Sequence, residues 1–236
     1  MFGISTFCLH DRPLPDALEQ LSRITGYVEV MDEGLHFLDS PGVLQNYSLK
    51  YSIHAPSRGT NLASLLEPIR RASVEVMREC FAIAAEVNAD VVVHPGYFAW
   101  QEEKDKAEAQ FRKSRDELKA LAAELSVPFS FENMGDWDYF LLKRPEEIPL
   151  IGDCGFTLDV GHANQNHCLT EFLEIPACHY HLHDNDGTAD SHDAAGTGTI
   201  RFPEVMAAVR RSGVTPVIEV ATLEGTLESI WVLEAL

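Results

Sequence analysis

Three histidines alternate with other residues in one short segment of the chain. His179, His181 and His183 are each separated by a single residue, and a β-strand turns every second side chain to the same face. The three imidazoles are therefore predicted to share one strand face, just before an acidic loop that contains Asp190 and His192. Imidazole and carboxylate groups gathered in this way are typical ligands of zinc and manganese. The alternative is a surface strand with a polar face and no ligand role.

Further candidate ligands stand at or just after the ends of other predicted strands. They are His54, His94, Glu132, Asp159, His162 and Glu219. A lone aspartate at such a place is often a helix cap, and a lone histidine is more often a core or rim residue than a ligand. Several carboxylates on one buried rim would raise one another's pKa unless cations neutralised them. Divalent ions are the simplest account, and the residue types do not separate zinc, manganese and cobalt.

Short strand-like runs alternate with amphipathic helix-like runs along the whole chain. The predicted strands are 2–9, 27–31, 50–54, 91–94, 128–132, 156–160, 178–183 and 216–220. The predicted helices are 15–24, a long helix that starts or kinks at Pro68 and ends near Asn88, 104–125, 138–142, 169–173, 202–211 and 227–236. This order predicts a single (β/α)₈ barrel over residues 1–236, with an open doubly wound sheet as the alternative. The barrel is favoured because the candidate ligands fall where such barrels place their active sites, at the carboxyl ends of the strands.

Composition restricts the class of partner. Eighteen lysines and arginines stand against 37 aspartates and glutamates, which gives a formal net charge of −19. A nucleic acid partner is therefore not expected, because phosphate backbones require clustered basic side chains. No apolar run is long enough to predict a membrane span. The five cysteines form no Cys-x-x-Cys pair, which favours a reducing, cytoplasmic setting.

Seven short motifs occur in a fixed order along the chain. They are His54-Ala55-Pro56, His94-Pro95-Gly96, Glu132-Asn133-Met134-Gly135, Asp159-Val160-Gly161-His162, His181-Leu182-His183, Asp190-Ser191-His192 and Ile218-Glu219. In content and order they resemble the xylose isomerase-like TIM-barrel superfamily, which includes endonuclease IV and sugar-phosphate isomerases and epimerases. The resemblance spans nearly the whole chain, so it carries more weight than any single motif.

The resemblance implies one to three divalent ions per chain, with zinc or manganese expected. One ion would be held by the four positions shared with the epimerase branch: Glu132, Asp159, His181 and Glu219. A second site, as in endonuclease IV, would combine three residues: His54, His94 and the bridging Glu132. A third would combine His162, Asp190 and His192. In the epimerase branch the position of His162 contacts substrate instead, so its role depends on the branch.

Two further residues are candidate substrate contacts. His183 stands where endonuclease IV has asparagine, and it is either a substrate contact or a polar rim residue. Trp100 belongs to an aromatic segment after the fourth predicted strand, where it could stack on a sugar ring or fill a gap between loops.

Two enzymatic mechanisms and one non-enzymatic role follow from the resemblance. The first is isomerisation or epimerisation of a small sugar or sugar phosphate through a metal-stabilised enediolate, with Glu132 and Glu219 as the proton-transferring pair and His162 holding a substrate oxygen. The second is phosphoester hydrolysis of the endonuclease IV kind, which a complete nine-residue ligand set favours. The third is a metal-stabilised binding barrel. Of these, the isomerase or epimerase is placed first, acting on a small polyhydroxylated or phosphorylated substrate, and the sequence is also compatible with an oligomer.

Overall fold

Eight parallel strands close into one barrel, β1 to β8 in sequence order, in the computed structural model, which describes residues 2–236. The strands are β1 Gly3–Ser5, β2 Tyr27–Met31, β3 Lys50–His54, β4 Asp90–Val93, β5 Phe129–Glu132, β6 Gly155–Asp159, β7 His179–Leu182 and β8 Val217–Ile218. The barrel closes where Gly3 of β1 pairs with Val217 of β8. The predicted (β/α)₈ fold is thereby confirmed.

Helices cover the outside of the barrel. They are α1 Leu14–Leu21, α2 Gly42–Gln45, α3 Glu67–Val87, α4 Lys104–Leu125, α5 Val160–Gln165, α6 Leu169–Phe172, α7 Phe202–Ser212 and α8 Leu223–Glu234. Helix α3 begins beside Pro68, as predicted, since proline is tolerated only in the first turn of a helix. It ends at Asn88, which adopts a left-handed conformation with φ of 52°. Among the described residues, no helix is long and apolar enough to cross a membrane.

Alternation along each strand separates the core from the barrel interior. On β5, Phe131 points outward and packs its ring 4.9 Å from that of Phe111 on α4, while Ser130 and Glu132 face inward. The interior is crowded: a Cβ atom added to Gly3 would stand 2.6 Å from the ring of Tyr27. The period-two pattern therefore places apolar side chains against the helices and leaves polar ones inside the barrel.

Two predicted elements differ from the observed ones. The first strand ends at Ser5, whose side chain accepts a hydrogen bond from the N–H of Phe7 and begins a 3₁₀ turn. Residues 138–142 form no helix, because Phe140 pairs with Tyr97 in an isolated bridge and Leu142 has a φ of 62°. The remaining predicted strands and helices lie within a few residues of their observed bounds.

Candidate metal centre

Strand ends bring most of the candidate ligands to one mouth of the barrel. His54 ends β3, Glu132 ends β5, Asp159 ends β6 and His181 lies within β7, while Glu219 follows β8 directly. All five are at most 3 % exposed. Their polar groups therefore face each other in an interior where unpaired charge is costly.

Two histidines and one carboxylate form a nearly equilateral triangle. Nε2 of His54 lies 3.1 Å from Nε2 of His94, and each nitrogen lies 3.2 Å from Oε2 of Glu132. A single proton cannot bridge three such atoms. Two ligands of a tetrahedral zinc ion stand roughly 3.3 Å apart. The spacing and the donor types of this outer group (His54, His94 and Glu132) therefore fit a divalent cation.

The other oxygen of Glu132 belongs to a second, deeper group. Oε1 of Glu132 lies 3.1 Å from Nδ1 of His181, and Oε2 of Glu219 lies 3.3 Å from the same nitrogen. Asp159 completes this inner group (Glu132, Asp159, His181 and Glu219) at 3.7 Å from that nitrogen. Oε1 of Glu219 is buried with no hydrogen-bond partner among the described residues. A buried oxygen left in this way is also what an ion site requires.

A third group stands on α5 and on the loop that follows β7. Oδ2 of Asp190 lies 3.1 Å from Nε2 of His162 and 3.3 Å from Nε2 of His192. Asp190 is 35 % exposed and His192 is 15 % exposed, so this loop group opens more to the cavity than the strand-end groups do. Its donor set of two imidazoles and one carboxylate again suits zinc or manganese.

Hydrogen bonds on the far side of each ring orient the histidines. Nδ1 of His54 contacts the carbonyl of Ala55 at 3.1 Å, Nδ1 of His162 contacts that of Asn133 at 2.9 Å, and Nδ1 of His192 contacts that of Glu219 at 2.7 Å. A carbonyl can only accept, so in each ring Nδ1 carries a proton and Nε2 faces the mouth, where its lone pair can bind an ion once any proton on it has left.

His181 has the opposite orientation, since its Nδ1 faces the mouth. Its Nε2 faces Glu29 of β2, whose Oε1 lies 2.8 Å away. Glu29 was not among the predicted site residues. The signal that could have found it is an acidic side chain on the inward face of an otherwise apolar strand, which demands a partner.

The histidines supply positive charge beside the buried carboxylates. Burial alone would raise the pKa of Glu132, but the charge of His181 and hydrogen bonds from several histidines outweigh it and hold the pKa well below its usual range. Burial is likewise outweighed at Asp159, whose pKa His162 and His183 lower. The sequence predicted that these carboxylates would raise one another's pKa unless cations neutralised them. In the metal-free protein the imidazoles supply positive charge beside them.

The same pairing changes the histidines. Burial lowers the pKa of His54 and of His192, but hydrogen bonds that the rings donate to the carboxylates of Glu132 and Asp190 respectively raise each to about 9. Burial prevails at His94 and lowers its pKa. Without bound ions, protons on the histidines therefore supply the positive charge at this mouth. Metal binding must displace these protons.

A cavity of about 1120 Å³ opens above these groups. Its wall includes Phe7, Phe37, Tyr97, Trp137 and Phe140. The two predicted substrate contacts do not line it. Trp100 is 66 % exposed, and His183 is fully buried with its Nε2 at 3.0 Å from Oδ1 of Asp159. Trp137, in the loop after β5, does line the cavity wall.

Comparison with known proteins places the chain among related barrels. The family described as xylose isomerase-like TIM barrel matches residues 41–234. An uncharacterized protein, MJ1614 of Methanocaldococcus jannaschii, is 36 % identical over 210 residues, which cover 85 % of this chain and 84 % of that protein. A probable endonuclease 4 of Mycobacterium tuberculosis is 28 % identical over 201 residues, covering 78 % of this chain and 77 % of the relative.

A solved structure agrees over nearly the whole chain. The crystal structure of a D-tagatose 3-epimerase-like protein superimposes with a TM-score of 0.91 at 28 % identity, covering 99 % of this chain and 96 % of that one. The chain is thus similar both to a probable nuclease and to a protein described as epimerase-like.

Proposed function

This chain belongs to the xylose isomerase-like TIM-barrel family, and from that premise we propose that it is a multinuclear, divalent-metal-dependent hydrolase of a small phosphoester. The observation that carries the proposal is the outer triangle of His54, His94 and Glu132, with sides of 3.1 to 3.2 Å. Single-ion epimerisation needs only the inner group and does not explain why His54 and His94 lie so close to Glu132. Two or three ions are the usual apparatus of phosphoester hydrolysis.

The charges around the cavity support a small substrate. Arg58 is the single lysine or arginine in the described cavity wall, and its Nε lies 3.2 Å from Glu33. A net charge of −19 repels long anionic polymers. A phosphate group would therefore have to be neutralised at the ligand groups themselves rather than by basic side chains.

Bound ions would supply Lewis acidity toward phosphate oxygens and lower the pKa of an attacking water. The chain's own residues would fix the geometry. Glu132 divides its two oxygens between the outer and inner groups, and Asp190 stands between His162 and His192 at the edge of the cavity. Phe7 packs its ring 4.9 Å from that of His192, which restricts the ring and keeps water from one side of the loop group.

Sugar epimerisation is the second candidate, and the inner group favours it. Carboxylates of Glu132 and Glu219 stand 3.1 Å and 3.3 Å from Nδ1 of His181. Two carboxylates that flank one bound carbon could remove a proton and return it from the other side. The structural similarity to the D-tagatose 3-epimerase-like protein at 28 % identity agrees with this reading.

Metal content and turnover together separate the candidates. Protein purified without chelators should contain about three equivalents of zinc or manganese by elemental analysis, and His94→Ala and His192→Ala should each lose about one. Glu79→Gln, an exposed change on α3, is the control and should lose none. One equivalent in the wild type, unchanged in both histidine variants, would contradict the multinuclear proposal.

The reaction itself is tested with small substrates. Hydrolysis of p-nitrophenyl phosphate or its diester is expected, without nicking of an abasic DNA duplex at ordinary salt. Solvent deuterium that enters a recovered ketose without any phosphoester hydrolysis would support the epimerase instead.

A further inference from the structure

A buried carboxylate joins two strands across the barrel interior, below the candidate ligands. Glu29 of β2 is fully buried, with Oε1 at 2.8 Å from Nε2 of His181 and Oε2 at 2.9 Å from Nε2 of His179. Strands β2 and β7 are not neighbours in the barrel. The contact therefore crosses the interior, and we name Glu29, His179, Ser52 and Tyr27 the floor cluster.

Two further side chains fix the carboxylate in place. The hydroxyl of Ser52 donates to Oε2 of Glu29 at 2.8 Å, and the hydroxyl of Tyr27 donates to Ser52 at 3.0 Å. All four residues of the floor cluster are at most 5 % exposed. A buried carboxylate with this many donors has little freedom to rotate.

The spacing separates the floor cluster from the ion-binding groups above it. Histidine nitrogen and carboxylate oxygen stand 2.8 to 2.9 Å apart at Glu29, but 3.1 to 3.2 Å apart in the closest pair of each ligand group. The shorter range is that of a charge-assisted hydrogen bond, whereas two zinc ligands stand roughly 3.3 Å apart. Oε1 of Glu29 and Nε2 of both histidines have no well-aligned hydrogen-bond partner among the described residues, so at these distances the contacts are close ion pairs. The ligand atoms of Glu29, His179 and His181 also lie within 4.8 Å of one another, but their shorter nitrogen–oxygen spacing favours protons over an ion between them.

We propose that Glu29 is a positioning residue that keeps the proton of His181 on Nε2, so that the Nδ1 lone pair faces the inner group. The other oriented rings use backbone carbonyls for this purpose. His181 uses a side chain, so its orientation alone among these rings can be changed by a single substitution. The inference rests on the proposed function only in requiring that His181 bind an ion, and it holds for either reaction.

Glu29→Gln is the informative variant because glutamine has the shape of glutamate but carries a hydrogen-bond donor in place of one acceptor oxygen. The amide keeps one acceptor oxygen and replaces the other by an N–H₂ donor. The hydroxyl of Ser52 donates to the oxygen on the His179 side, so the amide oxygen takes that place and the N–H₂ group faces Nε2 of His181. A donor that faces Nε2 favours the tautomer with the proton on Nδ1. That tautomer cannot bind an ion through Nδ1. Loss of an outer hydrogen-bond partner typically lowers metal affinity about 10- to 100-fold, and we expect a loss in this range for the inner ion.

Zinc affinity and ring tautomer are measured without any substrate. Competition with a chromophoric chelator gives the affinity of each equivalent, and two-bond ¹H–¹⁵N spectra of the zinc-loaded protein give the protonated nitrogen of His181. The wild type should show a protonated Nε2, and Glu29→Gln should lose affinity for one equivalent only. Asp32→Asn is the matched control: it removes a buried acid just after the same strand, one whose Oδ1 accepts from the N–H of Leu38 at 2.6 Å.

Three outcomes would overturn the inference. They are equal affinity losses in Glu29→Gln and Asp32→Asn, unchanged affinity in Glu29→Gln, and a wild-type His181 with Nε2 deprotonated. The last is read from the wild type alone, so it decides the matter even if Glu29→Gln fails to fold. A protein that binds zinc as described but turns over neither substrate class would leave the inference standing and remove the proposed function.

Discussion

The mouth of the barrel is built from two regions that hold the same residue types in different ways. One region consists of residues on or directly after strands, among them Glu132, which is 1 % exposed. The other consists of Asp190 and His192 on the loop after β7, which are 35 % and 15 % exposed. His162 on α5 connects them, since its Nε2 contacts Asp190 while its Nδ1 lies 3.4 Å from Glu132.

The strand region inherits its geometry from the barrel, but the loop region needs an anchor of its own. That anchor is Asp184, which is fully buried. Its Oδ2 accepts from the N–H groups of Gly196 and Gly198, and its Oδ1 from those of Asn185 and Ile200, at 2.9 to 3.1 Å. The ion sites held by strand residues are expected to be rigid. The loop site is more exposed and depends on this one anchor, so we expect its ion to exchange faster.

The largest effect is expected from Glu132→Gln, because both strand-end groups share this carboxylate. An amide keeps one uncharged acceptor oxygen and turns the other oxygen into an N–H₂ donor, so neither the outer nor the inner group keeps a charged ligand at this position. Metal content should fall by about two equivalents, and turnover by roughly 10²- to 10³-fold, the loss typical when one group that stabilises transition-state charge is removed. Elemental analysis and steady-state kinetics measure the two changes.

Glu219→Gln provides the contrast for this variant. It touches only the inner group, so about one equivalent should be lost. Equal losses of metal in the two variants would show that Glu132 does not bridge two ions. The strand region would then not be divided into an outer and an inner ion site.

Chelation should distinguish the strand and loop regions in the wild type. The loop group is the most exposed, so one equivalent of metal should leave with EDTA at least tenfold faster than the others. Stopped samples analysed for residual zinc give the rates. His192→Ala should lack the fast phase and keep the slow ones; a single phase in the wild type would mean that exposure does not govern ion release here.

The sequence could predict the ligands at strand ends better than the residues fixed by long-range or loop packing. Strand-end ligands such as His54 and Asp159 follow from period-two alternation and from the rule that barrels gather their active sites at strand ends. Glu29 was missed because its partner lies three strands away around the barrel, a distance that no local pattern encodes. The sequence could not indicate whether Trp100 or Trp137 reaches the cavity, because loop packing rather than periodicity decides this.

Asp184→Asn tests whether the loop region depends on its anchor. One oxygen becomes an N–H₂ group facing backbone donors, so a pair of buried N–H groups loses its acceptor at a cost of roughly 2–3 kcal/mol. We expect the loop ion to bind about tenfold more weakly while the strand-end equivalents remain unchanged. Competition titration measures the affinities, and hydrogen exchange over residues 184–200 measures the loosening. Equal weakening of all equivalents would mean that Asp184 supports the barrel rather than the loop.

The smallest effect is the pH dependence of the metal-free protein, and it compares one histidine from each region. His54 and His192 both have their pKa raised to about 9, above the value of about 6.5 in an unfolded chain. The stabilisation from protonation is then fully present below about pH 6.5 and is lost as the pH rises through 9, at most about 3 kcal/mol for each group. The melting temperature of metal-free protein should therefore fall by several degrees between pH 7 and 9.5. Zinc-loaded protein should stay nearly flat over this range, because ions have replaced the protons. His192→Gln should reduce the dependence of the melting temperature on pH and leave the part that His54 contributes. A melting temperature independent of pH in metal-free wild type would show that neither histidine has a raised pKa in the folded protein.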